Sequence, residues 1–330
     1  MYTYIIHRIL FMIVTVIILS ILTFMIIQLP AGDFVTHLAA QFARSGQSFD
    51  QAQLDIIREQ FGLNGTLVEQ YLAWAGNVLQ GDLGWSFQFT RPVSEVIGER
   101  IGLTVVISLS TLLFTYLLAI PIGVYSATHQ YSIGDNIVMF IGFIGLAIPS
   151  FLLALILMFV FLNAGFSVGG LFSPEYLRAE WGPGKIWDLM KHLPLPIIII
   201  GTAGTAGLIR VMRASLLDEI GKQYVITARA KGVHETKLLY KYPVRVALNP
   251  IASTIGWELP AIVSGGIIVE LVLNLPTTGP MLFNALMNQD LFLASSSLLF
   301  LNMLTVIGTF LSDILLVTID PRIRFTEQEG

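Results

Sequence analysis

Cysteine is absent from this 330-residue chain, which excludes disulfides, thiolate metal ligands and any cysteine nucleophile or redox pair. Charge is scarce. Only 12% of residues are Asp, Glu, Lys or Arg and the formal net charge is -4, so there is no basic surface to attract nucleic acid. His7, His37, His129, His192 and His234 are scattered, with no H-x-x-H or H-E-x-x-H spacing, and no metal site is expected. A G-x-x-x-x-G-K-[ST] phosphate loop is missing too: Gly184-Lys185 is followed by Ile186 and lacks the upstream glycine. No paired catalytic side chains stand out, so the chain is not expected to be an enzyme.

What the chain does contain is apolar surface: 55% of it is hydrophobic, with a mean hydropathy of +0.75. Such a composition belongs to an all-α integral membrane protein. Six apolar runs are long enough to cross a bilayer: 9–27, 103–126, 137–162, 193–209, 250–272 and 291–318. The first is longer than the core of a cleavable leader and no A-x-A-like site follows it, so it reads as a retained anchor. We therefore divide the chain into an N-terminal anchor (1–29), an amphipathic external segment (30–100) and a core of five spans (101–330).

Within the external segment, Leu54, Ile57 and Phe61 recur at helical spacing and predict a surface helix from Gln51 to Phe61. Trp74 and Trp85 suit either interfacial anchors, the reading we favour, or the core of a small external domain. A second external stretch, 163–192, holds Pro174, Gly182, Pro183 and Gly184 with Tyr176, Trp181 and Trp187, and predicts an ordered loop, with or without an interfacial helix. Gly201, Gly204 and Gly207 in the fourth span predict close helix packing.

Three positions in the spans are candidates to line a pathway: Glu258, Glu270 and Pro149. A charge near the bilayer centre costs at least about 2.5–3.5 kcal/mol, so its carboxylate should face water or a partner. Glu258 would lie about 12 Å along a helix starting at Pro250, near mid-membrane, and Glu270 nearer the outer surface. Pro149, like Pro121, frees a backbone carbonyl inside a span, which suits either a kink at a cavity or a packing kink.

The one long basic stretch between apolar runs in the second half is Gln223 to Pro250, inside a loop taken as 211–249. Ala228, Arg229, Ala230 and Lys231 are good helix formers, and Gly232 is placed to end that helix in a left-handed cap. A second helix is predicted from Glu235 to Tyr242, broken by Pro243, with Asn249 and Pro250 starting the next span. By basicity alone this is an ordinary cytoplasmic loop. Its sequence says more: Thr227-Ala228-Arg229-Ala230-Lys231-Gly232, then Arg245, Ala247, Leu248 and Pro250, resembles the EAA loop of ABC importer permeases. The likeness is greatest to the oligopeptide and dipeptide branch. Ile226 and Val246 depart from that pattern, where a charged residue and an asparagine are usual.

The resemblance extends along most of the chain, through Phe61-Gly62-Leu63-Asn64, Gln70-Tyr71-Leu72, Gly81-Asp82-Leu83-Gly84, Ser86, Arg91-Pro92-Val93, Glu270 and Asp320-Pro321-Arg322-Ile323-Arg324. Asn274–Gln289 is similar to the family's W-P-G-L-G loop, with Thr277-Thr278 replacing Gly-Leu, and suggests a re-entrant or gate-like segment.

What the resemblance implies is a six-span, type I ABC importer transmembrane-domain fold. Its coupling loop, here Tyr224, Thr227, Ala228, Arg229, Ala230, Lys231, Gly232 and Arg245, would sit in a cleft of an ATPase subunit. The implied partners are a second, homologous permease subunit forming a heterodimer, two ATPase subunits or a fused pair holding ATP and Mg, an extracytoplasmic substrate-binding protein and membrane lipid. No cofactor would be bound by this chain itself.

The place would be the inner membrane of a prokaryote with both termini cytoplasmic, a topology that puts eleven Lys and Arg inside and seven outside. Peptides are the first substrate class implied and oligosaccharides the second. A secondary transporter or channel using Glu258 and Asp313 as ion sites is the alternative from another class.

Overall fold

Helix is the only regular structure that satisfies a backbone inside hydrocarbon without neighbouring strands, and helices make up nearly all of this fold. A computed structural model describes residues 2–29, 35, 36, 39, 50–60, 64–165 and 168–319. In order come α1 (Tyr2–Ile27), α2 (Gln51–Gln60), α3 (Leu67–Leu79), β1 (Trp85–Ser86) and β2 (Arg91–Pro92). They are followed by α4 (Val93–Thr128), α5 (Ile133–Ala147), α6 (Ser150–Asn163), α7 (Pro183–His192) and α8 (Pro194–Ile220). The last are α9 (Gln223–Ala230), α10 (Glu235–Lys241), α11 (Pro243–Gly265), α12 (Ile267–Val272), α13 (Thr278–Met287) and α14 (Leu291–Ile319). The two short strands pair antiparallel, Trp85 opposite Pro92.

Four single helices are long and apolar enough to cross a membrane: Ile6–Ile27, Val93–Thr128, Pro194–Ile220 and Leu291–Ile314. A fifth crossing is available if α5 and α6 act together, although they are bent by 103°. Five at most among the described residues compares with six expected. The third run, 137–162, is thus not one rod. Pro149 has no N–H to continue a helix and pushes Ile148 into extended backbone (ψ 120°), so α5 stops at Ala147 and a new helix starts at Ser150.

Two other boundaries differ from expectation. The fourth span does not end near Ile209 but continues as helix to Ile220, because Arg213, Ala214, Leu216 and Glu219 are helix formers and Met212 and Leu216 are buried along one face. Polarity marks where the apolar run ends, not where the helix does. The fifth span starts at Pro243 rather than at Asn249-Pro250: proline at a helix start loses nothing by lacking an N–H. Pro250 then lies inside α11. Of the predicted surface helix, α2 is present and Leu54 is buried, while Phe61 and the side chain of Ile57 fall outside the described residues, as do Gly62, Leu63 and Asp320 to Arg324.

The chain forms two compact units, Met1–Arg8 with Val105–Leu275 and Leu304–Gly330, and Ile9–Thr104 with Pro276–Met303. In the first, α8 is packed closely against α4 at two levels. A Cβ at Gly123 of α4 would stand 2.6 Å from Cβ of Met212, and one at Gly201 would stand 3.0 Å from the Phe114 ring. Gly204 also lies against a neighbour, whereas Gly207 has open space beside it, so the predicted glycine packing holds at two of three positions. Val124, Ala127, Met212, Leu216, Val244, Ala247 and Ile251 form the core where α4, α8 and α11 meet. Met212 and Leu216 are fully buried, each contributing about 1.5–3 kcal/mol.

In the second unit, Thr66 and Glu69 form a reciprocal capping box that starts α3. Of the two readings open for Trp74, the structure takes the core rather than the favoured anchor: it is 3% exposed, packs against Phe24 and Tyr71, and donates its ring N–H to Ser296 at 3.4 Å. Its indole fills the space between α1 and α3, which a helix-spacing count cannot reveal. Trp85 remains exposed. Asp290 is buried at the start of α14, accepting from the Ser86 hydroxyl (2.7 Å) and the Gln88 N–H (3.0 Å), and burial raises its carboxyl above the usual aspartate range against those bonds. The segment expected to be gate-like contains the ten-residue α13, with Thr278 N–H and hydroxyl bonded to Thr104 at 2.9 and 3.0 Å.

Candidate functional site

The basic stretch folds as a helical hairpin. Helix α9 ends in a Schellman turn: the Gly232 N–H reaches the Arg229 carbonyl at 2.9 Å and the Val233 N–H reaches Ala228 at 3.3 Å. Gly232 has φ +75°, the left-handed value that a side chain would strain. Val233 then packs with Tyr242 against a small core of Val225, Ala228 and Leu238, which joins α9 to α10.

That core decides which face is left for a partner. Ala228 is 7% exposed and turned inward, so it supports the hairpin rather than offering itself. Tyr224, Ile226, Thr227, Arg229, Ala230, Lys231, Gly232 and Arg245 are exposed. Small Thr227 and Ala230 beside apolar Ile226 make a surface a second protein can approach closely, framed by Arg229 and Lys231. Arg229 is held by Glu235 at 2.6 and 3.2 Å, and this pairing keeps the Glu235 carboxyl below its usual range.

The hairpin is tied to α8 through Glu219, which is 8% exposed and accepts from Lys222 Nζ and Tyr224 Oη, both at 2.5 Å. Burial, and then that carboxylate, push the Tyr224 hydroxyl well above the ordinary tyrosine range. Tyr224 therefore stays a neutral donor and fixes the first turn of α9 on the end of α8.

The pathway candidates fall in different settings. Glu258 is half-buried on α11, and its Oε2 would lie 3.5 Å from a Cβ at Gly204. The Tyr116 and Thr254 hydroxyls bond at 2.6 Å in the same unit. Glu270 is 2% exposed, enclosed on α12. Pro149 is exposed at the bend between α5 and α6. Asp313, offered by the ion-coupled alternative, is paired with Arg8 at 2.6 Å.

Sequence reasoning missed Asp135 and Arg213. Asp135 stands in the first turn of α5 and takes both Nε and Nη2 of Arg213, at 3.0 and 2.9 Å. The available signal was Arg213 itself, a cation on a helix whose neighbours Met212 and Leu216 are apolar. Among the described residues no group of three or more His, Asp or Glu side chains is arranged to hold a metal ion.

Comparison with known proteins gives this arrangement its context. The model for the binding-protein-dependent transport system inner membrane component matches residues 119–325, and the corresponding N-terminal model matches residues 1–110. The chain belongs to this family. It is 35% identical over 328 residues to the oligopeptide transport system permease protein AppB of Bacillus subtilis, covering 98% of this chain and all of that one. A peptide permease protein of Brucella ovis is 32% identical over 337 residues (99% of this chain, all of the other), and the glutathione transport system permease protein of Pectobacterium atrosepticum is 31% identical over 325 residues (98% and all). This permease is accordingly a multi-pass inner membrane protein of the ABC importer class, related to the oligopeptide and dipeptide branch.

Proposed function

We propose that this permease forms half of the translocation pathway of an ATP-driven, binding-protein-dependent importer of peptides. The observation that carries the reading is the α9 surface, where Ile226, Thr227, Ala230 and Lys231 are outward and fixed to α8 by Tyr224 and Glu219. A surface held this rigidly transmits displacement instead of absorbing it. ATP and Mg would sit on two separate ATPase subunits, or a fused pair, docked on that face. A homologous second permease would supply the other half, and an extracytoplasmic binding protein would deliver substrate. ATP-driven closure of the ATPases would move the spans as rigid bodies and alternate access.

This reading keeps the division into anchor (1–29), external segment (30–100) and core (101–330), six spans in a type I importer fold, and both termini in the cytoplasm. Helix α11, with Glu258, serves as the remaining span. The names of the relatives favour peptides, glutathione being itself a small peptide. Pairing of Asp313 with Arg8 removes one of the two carboxylates an ion-coupled carrier would use.

The experiment is reconstitution of the four kinds of subunit in proteoliposomes with isotopically labelled tripeptides. Uptake that requires ATP hydrolysis and the binding protein is expected. Uptake that survives on an ion gradient without ATPase subunits would overturn the reading.

A further inference from the structure

Asp135, 2% exposed, collects four donors from three places in the chain. They are Nε and Nη2 of Arg213 on α8 (3.0 and 2.9 Å), the Tyr131 N–H in the turn (2.9 Å) and the Ser126 hydroxyl in the last turns of α4. Tyr131 has φ +64°, a conformation a tyrosine adopts only when its surroundings hold it. A buried ion pair adds little net stability, because desolvation offsets the Coulombic gain. What a planar guanidinium in a two-pronged grip does fix is orientation as well as distance, which an ammonium cannot.

The position of this grip matters. Arg213 stands six residues before Glu219, about 9 Å along the same helix. Glu219 in turn holds Lys222 and Tyr224 at the start of α9. Beside it, Gly123 of α4 lies so close to Met212 that no side chain fits between them. Polar contacts at Glu219 and at Arg213, joined by the α8 helix between them, thus link the docking helix to the turn joining α4 and α5, whereas α5 itself stops at the Ile148–Pro149 bend.

We propose that Asp135 and Arg213 are the positioning pair that makes the α4–α5 turn follow α8 when the docking helix is displaced, so that nucleotide-driven motion reaches the spans. The inference rests on the importer reading above. Neither residue touches substrate or nucleotide.

The test uses the whole complex in proteoliposomes, with labelled tripeptides as the probe, and reads ATP hydrolysed per tripeptide taken up together with the amount of intact complex. Arg213→Lys keeps a positive partner for Asp135 but loses the two-pronged grip. It is expected to assemble at the wild-type level while the ratio rises about tenfold or more, the scale on which mispositioning acts. Asp135→Asn should raise it as well. A wild-type ratio in Arg213→Lys overturns the proposal, and so does a ratio that changes only in step with loss of intact complex. A wild-type complex that takes up no tripeptide with ATP sinks the importer reading, and this proposal with it.

Discussion

Two short helices in the first unit, α7 and α9, each lie beside an end of α8 and place their charged side chains oppositely. Helix α9 buries Val225 and Ala228 and turns Thr227, Arg229 and Ala230 outward around a single exposed aliphatic side chain, Ile226. Helix α7 buries Lys185 and Asp188 beside Leu189 and turns Ile186, Trp187 and Met190 outward. In α7 the charges are satisfied within the fold: Lys185 Nζ donates to the Ala179 carbonyl at 2.6 Å, and Asp188 accepts the Ser173 N–H and hydroxyl at 2.7 and 2.8 Å. The contrast teaches that a helix's outward face reports the medium it meets. A water-facing protein contact suits α9, and an apolar contact suits α7.

The largest effect that would break the comparison is at the cap of α9. Gly232→Val forces a branched side chain into the left-handed region, costing about 1–2 kcal/mol, and should uncouple hydrolysis from uptake. Normal coupled transport by that variant would remove the hairpin from the coupling path.

Next in size, Ala228→Leu and Ala230→Leu separate the two faces of one helix. The first overpacks a buried position by about 1–3 kcal/mol and should lower the melting temperature of the permease. The second should leave melting unchanged and weaken co-purification of the ATPase subunits. Equal behaviour of the pair would mean that inward and outward faces have been misassigned.

For α7, Lys185→Met removes the donor to Ala179 and should speed amide exchange across 171–192, with a local loss of about 1–3 kcal/mol. Trp187→Gln, on the outward face, should leave that exchange pattern as it is.

Smaller still is a pH effect. Burial raises the Asp188 carboxyl, but the two Ser173 bonds and then His192 outweigh it and hold the group below the usual aspartate range. A lowered value means the stabilisation is complete above the unfolded aspartate value of about 3.9 and is lost as pH falls through the folded one. Exchange at the Ser173 amide should therefore accelerate only in acid below about pH 4, and Asp188→Asn should flatten that dependence.

Much of this was legible in the chain. Four apolar runs became membrane-length helices because hydrophobic length is a local property, and the left-handed cap at Gly232 followed from a glycine at the end of good helix formers. The boundaries of α8 and α11 were less legible. Helix continuation past an apolar run depends on what packs against the next turns, here Met212 and Leu216 against α4 and α11. The choice between anchor and core at Trp74 was undecidable for the same reason: its partners Phe24 and Ser296 lie 50 and 222 residues away.

By itself, the sequence determined the class of the protein, four of its membrane-length helices and the loop motif that resembles the family's. Each depends on composition or on residues within a few turns of one another. Only the tertiary structure decided that Ala228 faces inward, that α5 and α6 meet at 103° and that Asp135 is gripped by Arg213, 78 residues away. Those outcomes rest on which distant side chains share a buried volume, and burial is a property of the folded chain.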